Sequence, residues 1–144
     1  MAKVWVKKDQ NNQNNDNNES KQQEQKKDLD KNPDSNKVTV LLTGATGVIG
    51  GAIASGLISK PNVSLHLLAR NEAKIQNLIK TTLNKSLHQT STVQYHIVDL
   101  SSKKSINSFI TKFTKQWSYL DILVNDAAIV PSSYNITDDN EELQ

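Results

Sequence analysis

Apolar and polar positions in residues 37–125 alternate between two rhythms. Lys37–Thr43 (KVTVLLT) is a short apolar run rich in β-branched residues and bounded by Gly44, the signature of a buried strand. Val48–Ser59 then places Ile49, Ile53, Leu57 and Ile58 at helical spacing before Pro61 stops it. Val63–Ala69 (VSLHLLA) reads as a second strand. Asn71 is placed to cap a helix whose inner face is Ile75, Leu78, Ile79, Thr82 and Leu83. Val93–Val98 (VQYHIV) predicts a third strand. Ser101 or Ser102 caps a further helix with Ile106, Phe109, Ile110, Phe113 and Trp117 on one face. Leu120–Asn125 (LDILVN) predicts a fourth strand, after which the pattern fades. A β-α-β-α-β-α-β order implies an α/β fold: a parallel sheet with right-handed crossovers and helices on both faces. Strands this continuously apolar suit a sheet covered on both sides.

The amino-terminal segment has neither rhythm. Residues 1–37 hold only Met1, Ala2, Val4, Trp5, Val6 and Leu29 as apolar residues. Residues 9–36 are dominated by Asn, Gln, Lys and Asp, and cannot offset the backbone entropy of folding. The expected organisation is a disordered tail, residues 1–36, joined to a globular segment, residues 37–144. The first eight residues, MAKVWVKK, have the alternation to extend briefly, and are too short in apolar content for a signal peptide.

Composition removes several classes of function. The 144 residues carry net charge +2, three histidines and no cysteine. That excludes disulfide scaffolds and cysteine-ligated zinc or iron–sulfur sites. Lysine and acid are mixed throughout, with no basic stripe to track a phosphate backbone, so nucleic acid is not the expected partner. No apolar run approaches the roughly 18 residues of a membrane span. A cytoplasmic chain is the expectation. His66, His88 and His96 lack metal-ligand spacing, and the carboxylates at Asp138, Asp139, Glu141 and Glu142 lack the glycine of a calcium loop.

The candidate chemistry lies in Thr43-Gly44-Ala45-Thr46-Gly47-Val48-Ile49-Gly50-Gly51, between the first strand and the first helix. In that context a glycine-rich turn is a dinucleotide-binding signal. Gly44 permits the tight turn, Gly47 lets backbone approach a pyrophosphate, and Gly50 lets the helix pack on the strand. Unpaired N–H groups at the positive end of the helix then face the anion. The alternative is a strand–helix turn that holds no ligand. No Gly-Lys-Ser/Thr ends the motif, so a triphosphate-binding P-loop is excluded.

From these residues the globular segment resembles the amino-terminal half of a short-chain dehydrogenase/reductase. The resemblance rests on TGATGVIG at 43–50, Ala69-Arg70-Asn71, Val98-Asp99-Leu100 and Ile122–Ala128 (ILVNDAA), in that order. The nearest flavour is the retinol-dehydrogenase-like branch, which often has a stretch like Thr137–Gln144 after its fourth strand. The resemblance implies an incomplete Rossmann-type domain of about four strands that binds NAD(P). It places cofactor-binding positions at Gly44, Thr46, Gly47, Val48, Ile49, Gly50, Arg70, Asn71, Asp99, Leu100, Asn125, Ala127 and Ala128. Arg70 stands beside the place where NAD-selective members put an acid. It can pair with a 2′-phosphate, which favours NADPH over NADH; a surface ion pair with Glu72 is the alternative. Asp99 would accept from the adenine amino group, or serve only as a charge at a helix start. Asn125 resembles the Asn that ties the fourth strand into the sheet.

Two departures stand out. TGxxGxxG is the glycine spacing of the extended, epimerase-like group, where TGxxxGxG is usual. Asn125-Asp126-Ala127-Ala128 replaces the usual NNAG, adding a methyl at 128 and an acid at 126. The family's Tyr-x-x-x-Lys pair is absent: the residues four after Tyr95, Tyr119 and Tyr134 are Asp99, Leu123 and Asp138. The expected function is therefore alcohol–carbonyl interconversion by hydride transfer to or from the nicotinamide dinucleotide, truncated before its catalytic pair and inactive alone. A non-catalytic nucleotide-binding or interaction module and an epimerase or dehydratase relative remain the alternatives. A small alcohol or carbonyl substrate requires the missing residues. The last strand is expected to be an unpaired apolar edge, a hazard for aggregation.

Overall fold

The computed structural model describes residues 3–6 and 36–129. Its strands are β1 (Lys3–Val6), β2 (Val38–Thr43), β3 (Val63–Ala69), β4 (Thr92–Ile97) and β5 (Ile122–Asn125), in one sheet ordered β1-β5-β2-β3-β4. Helices α1 (Val48–Ile58), α2 (Glu72–Leu78) and α3 (Lys103–Gln116) join β2 to β3, β3 to β4 and β4 to β5. Strands β2 to β5 all pair in parallel, as the alternation predicts. Residues 7–35 and 130–144 lie outside the described residues, and with them most of the expected tail and the Thr137–Gln144 stretch.

The pleat sorts the strand residues into two cores. Val40, Leu42, Leu65, Leu67 and Val124 face Ala54 and Ile58 of α1 and Ile75 of α2. Leu41, Leu68 and Leu123 point the other way, toward Phe109, Phe113 and Trp117 at α3. So α1 and α2 cover one face and α3 the other. This follows from right-handed crossovers: two steps carry the chain outward to β4, and α3 returns it past β2 to β5. The strand order reverses between β2 and β5, which creates a crevice at their carboxyl ends.

Local signals set the helix boundaries. The Asn71 side chain accepts from the Lys74 N–H at 2.9 Å, and Ser102 Oγ accepts from the Ser105 N–H at 3.3 Å; each is an N-cap of the expected kind. After α2 the backbone widens into a π-turn over Ile79–Leu83 before a last short turn, Asn84–Ser86. Leu83 stays buried but Thr82, expected on the inner face, is exposed. Ile110 is likewise more exposed than its spacing predicts, because the α3 contact narrows to the stripe Ile106, Phe109, Phe113.

At the edge of the sheet the structure departs from expectation. β5 is not unpaired: β1 lies against it, antiparallel, with Lys3 opposite Asn125 and Val6 opposite Ile122. On its inner side β5 is clamped to β2 by Asp121. The Asp121 carboxylate accepts from the Thr39 N–H at 2.8 Å, and the Asp121 N–H donates to the Thr39 carbonyl.

Two histidines sit in the α3-side core. His66 is fully buried on β3, and its Nδ1 lies 3.1 Å from Nε2 of His96 on β4. Ser64 Oγ lies 3.2 Å from His66 Nε2, and Trp117 packs edge-on against His66 at 4.5 Å between ring centroids. A charged ring placed in such a core loses hydration. Burial pushes the His96 pKa below its ordinary value. The unfolded chain therefore takes up this proton first as pH falls below about 6.5. Stability is expected to fall from pH 7.5 to 5.5, and to level off below the folded-state pKa. Urea unfolding across that range should show the loss, and His96→Phe should flatten it. An unchanged slope in the variant would refute the assignment.

Candidate nucleotide-binding site

The crevice at the switch point is built from two loops pressed together. Gly44, at the end of β2, takes φ +75°, a conformation natural to glycine. A Cβ there would lie 2.7 Å from the Ala127 nitrogen and 2.9 Å from the Asp126 carbonyl carbon, so the approach of the loop after β5 leaves no room for a side chain. The Thr43 hydroxyl fastens the two loops. Its oxygen accepts from the N–H groups of Asp126 and Ala127 at 3.1 and 3.0 Å.

The turn next curls back on itself, with the Gly47 N–H donating to the Gly44 carbonyl at 2.9 Å. Helix α1 begins at Val48 with Gly47 as its N-cap; no side chain caps it and its first turn holds no acid. Its leading N–H groups and positive dipole end are thus directed to the crevice with no side-chain cap and no acid of the helix's own first turn. Gly50 is needed for packing: a Cβ on it would lie 2.2 Å from the Gly44 carbonyl oxygen and 2.7 Å from Asp126 Oδ2. The Asp126 carboxylate therefore stands close to the start of the helix.

The crevice has a volume of about 750 Å³ and opens along the carboxyl ends of β2, β3, β4 and β5. Val48 and Ile49 give it an exposed apolar lip. Arg70 and Asp99 form the far rim. The Asp99 carboxylate accepts from the Ser101 hydroxyl at 2.7 Å and the Ser101 N–H at 3.0 Å. Those bonds, the hydroxyl's first, hold its pKa below the usual carboxylate value, with a smaller contribution from Arg70. Asp99 is thus an ionised acceptor at neutral pH. No ion pair joins Arg70 to Glu72 among the described residues; Glu72 Oε1 instead accepts from Tyr95 and Gln76.

Of the residues singled out from sequence, Gly44, Thr46, Gly47, Val48, Ile49, Arg70, Asp99, Leu100, Ala127 and Ala128 line this one crevice. Three do not. Gly50 lies buried behind the turn, Asn71 is spent on capping α2, and Asn125 is paired with Thr43 and Lys3 within the sheet. The structure adds Leu68, Ala69, Val98, Ser101, Asp126 and Ile129 to the lining. Leu68 and Ala69 end β3, and Val98 and Asp126 directly follow β4 and β5, so position in the β-α units was the signal that could have found them. No cluster of metal-ligating side chains occurs among the described residues. None of the helices described is long and apolar enough to cross a membrane.

The sequence model for short chain dehydrogenases matches residues 38–144. The chain belongs to the short-chain dehydrogenase family. Its relatives include an uncharacterised oxidoreductase, C736.13, of Schizosaccharomyces pombe, 32% identical over 112 residues that make up 78% of this chain and 32% of the relative. Retinol dehydrogenase 13 of Mus musculus is 34% identical over 106 residues, 74% of this chain and 31% of the mouse protein. Among solved structures, the NADPH-dependent reductase YwfH of bacilysin biosynthesis superposes with a TM-score of 0.51 at 28% identity, over 72% of this chain and 41% of that one. The chain thus spans about a third of the length of the curated relatives it matches. The family's cofactor is a nicotinamide dinucleotide, and the crevice suits one: an uncapped helix start for phosphates, an apolar lip and a polar rim.

The buried Thr43 hydroxyl satisfies two backbone donors at once. Thr43→Val keeps the shape and strands both N–H groups, so it should cost about 1–3 kcal/mol of stability. Thr43→Ser should recover most of that. Denaturant unfolding of the three proteins tests this; a valine variant as stable as the parent would contradict it.

Proposed function

We propose that this chain is the dinucleotide-holding portion of an NAD(P)-dependent oxidoreductase, and that it takes NADPH in preference to NADH. The observation that carries the reading is a crevice of about 750 Å³ lined by both the uncapped start of α1 and Arg70 and Asp99. That size is ordinary for a cofactor site. The leading N–H groups of α1 would hold the pyrophosphate, Gly44 and Gly47 keeping the approach clear of side chains. Arg70, exposed at the end of β3, would pair with a 2′-phosphate through two parallel N–H donors. Asp99, kept ionised by Ser101, would accept from the adenine amino group. That YwfH is an NADPH-dependent reductase supports the same preference.

The bound dinucleotide supplies or accepts a hydride, which makes an alcohol or a carbonyl compound the substrate class. The acid–base pair for that step, Tyr-x-x-x-Lys, does not occur in these 144 residues. The residues present bind and orient the cofactor, and turnover is proposed only for a chain that carries the pair. Asp126 acts against binding: its carboxylate stands beside the helix start where the pyrophosphate's charge would come, so like charges meet.

Calorimetric titration with NADPH and NADH tests the reading. NADPH should bind more tightly. Arg70→Ala should weaken NADPH by about tenfold, the worth of one charge-assisted contact, and leave NADH nearly unchanged. Asp126→Asn should tighten both. Tighter binding of NADH, or equal losses for both cofactors in the Arg70 variant, would overturn the NADPH preference.

A further inference from the structure

The outer edge of β5 is the place where a doubly wound sheet, having reversed at β2, adds its next parallel strand. Here that edge carries Lys3–Val6, running the opposite way. We infer that the β5 edge is a strand-accepting interface and that Lys3–Val6 is its built-in occupant, which keeps the edge from pairing with a second copy of the chain. Three observations support this. First, β5 has an edge worth covering. Ile122 and Leu123 are half-buried, Val124 is buried, and the strand holds no lysine or proline to repel an incoming strand.

Second, the register is complete: all four residues of β1 pair with all four of β5. Pairing of that kind satisfies backbone donors and acceptors and asks little of side-chain identity.

Third, the antiparallel sense makes the connection easy. Val6 lies opposite Ile122, and Ile122 lies opposite Val40 on β2. The end of β1 and the start of β2 are therefore at the same end of the sheet, separated by two strand spacings, about 10 Å. Thirty-one residues, 7–37, lie between the two strands in sequence, ample length for a gap of about 10 Å. A parallel β1 would have to return along the whole sheet. Tethering also gives the strand an effective concentration on the order of millimolar at its own edge, far above that of a second molecule in dilute solution. The same geometry makes β1 replaceable: any segment that adds a parallel strand beyond β5 must first displace it.

The chain has no cysteine, so paired cysteines report the register without interference. In the full chain, Lys3→Cys with Asn125→Cys, and separately Val6→Cys with Ile122→Cys, should each form a disulfide within one molecule on mild oxidation. Lys3→Cys with Ile122→Cys, three residues out of register, should not. A second measurement uses the full chain carrying Val4→Pro and Trp5→Pro. Adjacent prolines remove a β1 donor facing β5 whichever way the ladder alternates. The amides of β5 should then exchange faster and the mass should rise with concentration, while β2 and β3 amides stay protected. Added peptide of sequence MAKVWVKK should restore the monomer. Disulfides formed only between molecules, equal cross-linking of the out-of-register pair, or a proline variant that stays monomeric with β5 fully protected would each overturn the inference.

Discussion

The structure depends on one close contact, the approach of the loop after β5 to the end of β2. At Gly44 the two backbones meet at a distance that excludes even a methyl group. Such contact is tolerable only if the polar groups it buries find partners, and the Thr43 hydroxyl takes two of them. Several features follow from this junction. It fixes β5 beside β2, which places the reversal of strand order there. It sets the Gly44 turn, which aims the start of α1 into the crevice. It also brings Asp126 to the helix start, against the side of Gly50. Strand pairing, loop geometry and the charge of the site are thus set at one point, by a threonine, a glycine and a stretch of backbone far along the chain.

The strands, the helix caps and the glycine-rich turn were legible in the sequence because each depends on neighbouring residues. Alternation told which strand residues share a face, and Asn71 and Ser102 cap as residues of their type should. What was not legible depends on distant residues. The pairing of His66 with His96 joins positions 30 apart through the β3–β4 register, where Leu68 stands opposite His96. The π-turn after α2 moves Thr82 off the face that a regular helix would give it. The second role of Thr43 needs Asp126 and Ala127 to be known as its neighbours. The pairing of β1 with β5 lay furthest from reach: its eight surrounding residues carry a brief alternation and nothing that names a partner.

The site shows the same division. The glycine turn, Arg70 and Asp99 were readable as types at characteristic places, and they do line one crevice. Asn71 and Asn125 do not line it. Each stands next to a residue that reaches the crevice; the Asn71 side chain caps α2, and the Asn125 backbone lies in register with Thr43. Adjacency in sequence is a weak guide to shared direction in a strand or at a cap, where neighbours point apart.

The central claim is that these two loops and the rim at Arg70 and Asp99 form a nucleotide site in this chain as it stands. An amide-resolved NMR titration of the labelled protein with NADPH tests it directly. The account predicts that perturbed amides gather at residues 44–51, 70, 99–101 and 126–129, with the largest at the start of α1. Perturbations gathered elsewhere, or none at millimolar NADPH, would contradict it.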